Sequence, residues 1–277
     1  MGTTEELDGS LKESLKEHGY HSPIFLGEGS FSSAYRVLDE MGHFWVCKVA
    51  DGEREKLWQQ ECENWQEIRH PLFPSYREHW TDGGKGYLII EFWEGMDLRE
   101  MLARRRRLAP GQAAQILSQI AEGVQYLHER PHPFLYRDLK PENIRIRSNG
   151  RVGILDLGCL WNREQGWSGA GNYFYSAPEQ FRPGEIPGEE SDVYALGKLL
   201  AAMLGEDKGR DRRWRDRRRK KWLRRLIAMA TDKERDSRIP DCKTLQELLT
   251  VMDASYRIQK QTLKRADFYY IRKLYYP

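Results

Sequence analysis

Apolar positions along this 277-residue chain follow two regimes. In the first third they come in short alternating runs, and beyond residue 97 they recur at helical spacing. Residues 5–19 read as a short polar helix that Gly19 ends. Strand-like segments follow at Ile24–Leu26, Ser33–Leu38 and His43–Val49, the last two joined by a turn at Met41-Gly42. Residues 53–69 predict a helix stopped by Pro71 and Pro74, and the run from Tyr87 to Phe92 predicts a buried strand. Pro110 takes the first-turn place of a helix over 110–129, and helices over 192–204 and 222–231 come after it. The pattern predicts an α+β chain with a small β-rich lobe at 22–92 and a larger, mostly helical lobe at 97–260.

Composition changes this picture little. With 39% apolar and 31% charged residues, the chain has the makings of a globular core. The best apolar run, Leu196–Leu204, is too short for a membrane helix and contains Lys198. The acidic start (Glu5, Glu6, Asp8) does not fit a signal peptide, and Glu6 spoils a myristoylation reading of Met1-Gly2. The cysteines Cys47, Cys62, Cys159 and Cys242 are scattered without a C-x-x-C pair, so a reducing cytoplasm is the expected location. No repeat or linker divides the chain. Charge is uneven: Lys208–Arg225 holds 12 Lys or Arg and two Asp, which leaves the remainder of a +3 chain at −7.

The chemistry concentrates in Tyr136-Arg137-Asp138-Leu139-Lys140-Pro141-Glu142-Asn143, which puts a carboxylate, an ammonium and a carboxamide on one loop. Asp156-Leu157-Gly158 follows thirteen residues after Asn143. Phosphoryl transfer needs such a set: an acceptor to orient a hydroxyl, a cation for the phosphate, and oxygens for Mg²⁺. Gly27-Glu28-Gly29-Ser30-Phe31-Ser32 lies between two predicted strands, where missing side chains let backbone approach phosphates; by itself it is equally a plain turn.

These motifs resemble the catalytic and metal loops of eukaryotic-type (Hanks-type) Ser/Thr protein kinases, with Tyr136 in the usual His place and Leu157 in the usual Phe place. The likeness extends through Ala177-Pro178-Glu179 and Ser191–Gly197, and its compactness suggests a bacterial member. It implies a bilobal protein-kinase-like fold over 23–260, with an N-lobe at 23–92, a hinge at 91–96 and a C-lobe at 97–260. An extension at 1–22 and an aromatic tail at 261–277 flank it. Asp138 is then the base and Lys140 the γ-phosphate partner, while Asn143 and Asp156 hold Mg²⁺. Lys48, nineteen residues after Gly29, holds the other phosphates and pairs with Glu61; Glu63 is the rival, on the far side of the helix. The ATP site comprises Leu26, Gly27, Gly29, Ala34, Val46, Lys48, Glu91, Trp93 and Arg145. Glu179 pairs with Arg238, and Asp192 caps its helix and braces the catalytic loop.

The chain departs from the pattern in places. Ser32 replaces the third glycine, Val46 a usual alanine, and Arg145 an apolar residue beneath the adenine. Asn172 stands where a Thr commonly touches the catalytic aspartate, and an amide can donate similarly. The implied activity is ATP- and Mg²⁺-dependent phosphorylation of protein Ser/Thr hydroxyls, including its own. The alternative is a pseudokinase or adaptor that uses 208–225 to bind an acidic partner or nucleic acid, with Trp214 and Trp222 available for stacking on bases.

Overall fold

A computed structural model describes residues 9–29, 32–51, 55–162, 172–205 and 217–260. Five antiparallel strands form the first sheet, in the order β1-β2-β3-β5-β4: β1 Tyr20–Glu28, β2 Ser33–Asp39, β3 Phe44–Asp51, β4 Tyr76–Asp82 and β5 Lys85–Glu91. The β2–β3 turn is fixed by Gly42 at φ 80° and by Asp39, whose carboxylate accepts from the backbone of Met41 and His43. Alternation gives this sheet two different faces. Val37, Cys47, Tyr87 and Ile89 bury against Leu11 and Leu15 of α1 (Gly9–Glu17), and Trp80 donates to Ser14. The opposite face carries Val46, Lys48 and Ala50, and α2 (Glu55–Glu67) packs there through Trp58, Cys62 and Trp65.

The chain leaves β5 through residues 92–95 and enters a second sheet, β6 Met96–Asp97, β7 Ile144–Ile146 and β8 Val152–Ile154. Gly95 sits at φ 150°, and a Cβ there would lie 2.4 Å from the Ile146 carbonyl, so only glycine fits this crossing. Asp97 caps α3 (Leu98–Arg105) by accepting from the backbone of Glu100. The helical part follows: α4 Pro110–His128, with proline at its first turn as expected, α5 Glu189–Leu204, α6 Arg217–Ala230 and α7 Cys242–Lys260. None of the described helices is long and apolar enough to cross a membrane.

β4 was not anticipated, because its polar sequence Tyr-Arg-Glu-His-Trp-Thr-Asp is that of an edge strand and a bulge interrupts its register after Tyr76. Nor is Asp192 a cap. α5 starts at Glu189 with Gly188 as N-cap, so Asp192 lies inside the first turn. The tail 261–277, Ser30, Phe31 and Trp214 lie outside the described residues.

Glu179 is buried, and Arg238 grips both its oxygens (2.6 and 2.9 Å) while Ser191 donates a third bond (2.6 Å). Burial raises the Glu179 pKa, but Arg238 and Ser191 outweigh it and hold the carboxyl below its ordinary 4.5. Its stabilisation is therefore complete above pH 4.5 and fades as the pH falls through the lower folded value. Glu179→Ala is expected to cost about 3–5 kcal/mol by leaving the guanidinium buried and unpaired. Urea unfolding should also show a shallower acid decline in Glu179→Gln than in the wild type.

Candidate active site

The catalytic-loop segment is shaped by one carboxylate of α5. Asp192 accepts from the backbone N–H groups of Tyr136 (Oδ2, 2.7 Å) and Arg137 (Oδ1, 2.8 Å), and Nε2 of His128 in α4 lies 2.8 Å from the same oxygen that Tyr136 engages. Burial alone would lower the His128 pKa, but the bond to Asp192 and the neighbouring Cys242 and Glu189 push it up to about 12, so the ring is cationic. This clamp holds Arg137 at φ 67°, a left-handed conformation that a side chain rarely adopts. The Arg137 carbonyl accepts from Ser176 Oγ and Gln180 Nε2, and its Nε donates to Cys159 O (2.8 Å).

On the loop so held, Lys140 Nζ lies 2.5 Å from Asp138 Oδ2, and Asn143 Nδ2 donates to Asp138 O (2.9 Å) and Oδ2 (3.2 Å). Burial raises the Asp138 pKa above its ordinary 3.8, although Lys140 and Asn143 counteract part of that. With its amide nitrogen turned to Asp138, Asn143 has its oxygen left for another partner. Asn172 does not supply the expected bond. Its side-chain oxygen accepts from Phe174 N (3.0 Å) within its own turn, and Ser176 and Gln180 reach the loop instead.

Facing this loop, Lys48 of β3 forms an ion pair with Glu61 of α2 and a second with Asp156 at 3.0 Å. Glu63 is exposed, which settles the pairing for Glu61. Burial works against the charge on Lys48, but Asp156 and Glu61 more than compensate and raise its pKa. Partial desolvation would raise the Asp156 carboxyl, but Lys48 and the Gly158 N–H (3.1 Å) outweigh it and lower its pKa. Gly158 makes the convergence possible, since a Cβ there would meet Glu61 Oε2 at 3.2 Å and Asp156 Oδ1 at 3.3 Å. Asn64 ties α2 to the same loop through Leu157 O (3.2 Å).

Ala34 stands opposite Lys48 in the β2–β3 ladder, so it shares the face that carries Val46 and Lys48 above the loop. Leu26 is half exposed at an irregularity of β1, and Gly29 closes the strand end through Ser32 O (2.8 Å). Among the described residues, a Cβ at Gly27 would meet nothing within 4 Å. The side chains of Glu91 and Trp93 are engaged elsewhere: Glu91 accepts from Ser75 N, and Trp93 is buried over Gly153 beneath Arg147. Arg145 reaches the linker and donates to Gly95 O (3.1 Å).

The donor set fits a phosphate-bound divalent ion. Among the described residues no cluster of three or more His, Cys, Asp or Glu could cage a metal. One carboxylate and one carboxamide oxygen suit Mg²⁺, which takes its remaining oxygens from phosphates and water. Sequence reasoning missed Asn64, His128, Ser176, Gln180 and Gly95, all of which position the site through contacts with distant segments. Gly95, between a buried strand and an N-cap aspartate, was the one with a visible local signal.

A family model, the protein kinase domain, matches residues 20–269. Similar curated proteins include CBL-interacting protein kinase 17 of Oryza sativa subsp. japonica, 30% identical over 67% of this chain and 43% of its own length. Aurora/IPL1-related protein kinase 2 of Caenorhabditis elegans is 28% identical over 65% of this chain and 61% of its own length. The "Probable serine/threonine-protein kinase PknB" of Lactococcus lactis subsp. lactis is 26% identical over 63% of this chain and 32% of its own length. The matched region thus spans about two fifths to three fifths of the first two relatives and a third of the bacterial one. With the family model covering almost the whole length, the bilobal layout and the clamped loop have one explanation: this chain belongs to the protein kinase family.

Proposed function

We propose that the chain is a Ser/Thr protein kinase that transfers the γ-phosphoryl group of ATP, with Mg²⁺, to protein hydroxyls, its own included. The observation that carries this reading is the convergence of Lys48, Glu61 and Asp156 opposite a loop where Asp138, Lys140 and Asn143 are mutually bonded. The Ser/Thr preference rests on Lys140, two residues after Asp138, and on the printed names of relatives such as PknB.

Bound Mg²⁺·ATP supplies the reactive phosphoryl group, with Asn143 and Asp156 as the metal's protein oxygens. Asp138 accepts a hydrogen bond from the attacking hydroxyl and takes its proton. Lys140 supplies positive charge where the transition state accumulates negative charge. Lys48 is kept in place by Glu61 as a phosphate contact. Gly27 and Gly29 allow close backbone approach, Leu26, Ala34 and Val46 form the roof over the base, and Glu91 and Trp93 offer backbone groups. A cytoplasmic location agrees with four unpaired thiols.

An acidic protein partner is the reading we favour for 208–225. Of the part that lies in α6, Lys221, Arg224 and Arg225 are exposed, whereas Leu223, Leu226 and Ala230 are buried. Trp222 packs against the core, which removes it as a base-stacking platform and weighs against nucleic acid.

With labelled ATP and a peptide substrate, Asp156→Asn should lose about three orders of magnitude or more in turnover with its fold intact. Asp138→Asn should lose turnover comparably yet keep nucleotide affinity.

Because burial raises Asp138, the acid limb of kcat/KM should fall above the ordinary carboxylate value of 3.8, activity being lost as Asp138 gains its proton. Lys140 holds that pKa down, so Lys140→Met should move the limb to higher pH as well as lowering kcat; a limb that stayed put would sink the base assignment.

Glu61→Gln should lower the pKa of Lys48, read from the pH dependence of its acylation rate, whereas Glu63→Gln should leave it unchanged. The same two variants should separate in activity.

A further inference from the structure

The chain at the end of α3 reads as four consecutive arginines, Arg104 to Arg107. Leu98, Met101 and Leu102 bury one side of the helix, while Arg104, Arg105 and Arg106 are exposed. Arg104 pairs with Glu100 one turn back. Among the described residues, Arg105 and Arg106 form no ion pair, which leaves two guanidinium groups in solvent without an anion. Arg106 is also the C-cap, at φ 59°, a left-handed position that glycine or asparagine fills at lower cost. Neither packing nor backbone geometry asks for arginine there.

The fold holds this run close to the catalytic loop. α3 starts at its Asp97 cap and lies along Pro141–Asn143, where Arg99 Nε is 3.7 Å from Glu142 Oε1. Arg105 and Arg106 are six and seven residues beyond Arg99, a helical rise of roughly 10 Å. The far end is pinned to α5: Leu108 N donates to Met203 O (2.7 Å), and a Cβ on Gly205 would lie 3.5 Å from Arg106 O and Arg107 Cβ. The basic block 208–225 begins three residues after Gly205 in the sequence. Both runs together leave the rest of the chain at −11.

An extended peptide advances about 3.3 Å per residue, so a substrate whose hydroxyl meets Asp138 reaches these arginines with residues about three or more positions away. Guanidinium forks match carboxylates in a bidentate fashion. Among the described residues, none of the exposed large apolar side chains belongs to α3 or to the loop after it. The surface thus presents charge without an apolar anchor for lipid or an aromatic platform for bases. We propose that Arg105 and Arg106 select protein substrates that carry an acidic stretch a few residues from the phosphoacceptor Ser or Thr. The inference rests on the kinase reading above, and it makes the acidic partner favoured for 208–225 the substrate itself.

The test is kcat/KM of the full chain on two degenerate peptide mixtures built around a single Ser or Thr. One carries Glu and the other Gln over a stretch that starts about four residues from the acceptor, on either side. At low salt the wild type should prefer the Glu mixture by about five- to tenfold, mostly through KM, which is what two exposed ion pairs allow. High salt should remove that preference. Arg105→Gln with Arg106→Gly should remove most of it as well and leave turnover of the Gln mixture unchanged. Arg106→Gly alone should weaken the preference without lowering the melting temperature, because glycine suits the left-handed backbone. A structural role would instead lower the melting temperature and turnover of both mixtures. Equal turnover of the two mixtures by the wild type, or a preference that survives the double substitution, overturns the inference and leaves the kinase reading intact. So does binding of a single-stranded oligonucleotide or of phosphatidylserine vesicles that needs these arginines while the Glu preference is absent. A folded protein that phosphorylates neither mixture overturns both.

Discussion

A lysine ammonium on β3 lies between carboxylates from two other parts of the chain, Glu61 on α2 and Asp156 on the metal loop. Burying the Lys48 ammonium and the Glu61 carboxylate is costly unless each is compensated, and the partly exposed Asp156 supplies the second anion; removing either carboxylate leaves the lysine less compensated. The sheet, the helix and the loop can satisfy these charges only in one relative placement. Gly158 permits the approach, and Asn64 adds a second tie between α2 and the loop. The apolar packing beneath α2, through Trp58, Cys62 and Trp65, is less particular, since hydrophobic contact has little directionality. Charge compensation, more than core packing, therefore sets the register of the site.

The helical lobe uses the same device twice. Asp192, paired with a cationic His128, takes two backbone N–H groups of the catalytic loop and keeps Arg137 in the left-handed region. Glu179, held by Arg238 and Ser191, fixes the segment whose Ser176 and Gln180 bond the other side of Arg137. Arg137 thus stands between two buried anions that belong to separate elements. The catalytic loop has almost no regular secondary structure of its own. Its rigidity is borrowed from α4, α5 and the stretch after Ala177.

How much of this the sequence disclosed follows from the range of the interactions involved. The catalytic loop, Asp156, Lys48 and its pairing with Glu61 were legible, because spacing along the chain carries them. The helix over 110–129 and the Met41-Gly42 turn were legible from proline and glycine chemistry. β4 was obscured by its polar composition, and α5 was started three residues late because its N-cap is Gly188 rather than an oxygen-bearing side chain. The positioning roles of Asn64, His128, Ser176 and Gln180 depend on partners dozens of residues away, and no local pattern announces such pairings. For Asn172 the expectation was an amide donating to the catalytic aspartate, whereas the contact found is local, its oxygen accepting from the Phe174 N–H two residues on.

In the proposed function Asp138, Lys140, Asn143 and Asp156 act together on a phosphoryl group. The most direct measurement is phosphoamino-acid analysis after incubating the purified chain with γ-labelled ATP, Mg²⁺ and a Ser- and Thr-rich test protein. The account predicts label on phosphoserine or phosphothreonine, abolished by chelating the metal. A folded, nucleotide-binding protein that places no label on itself or on any substrate would contradict it.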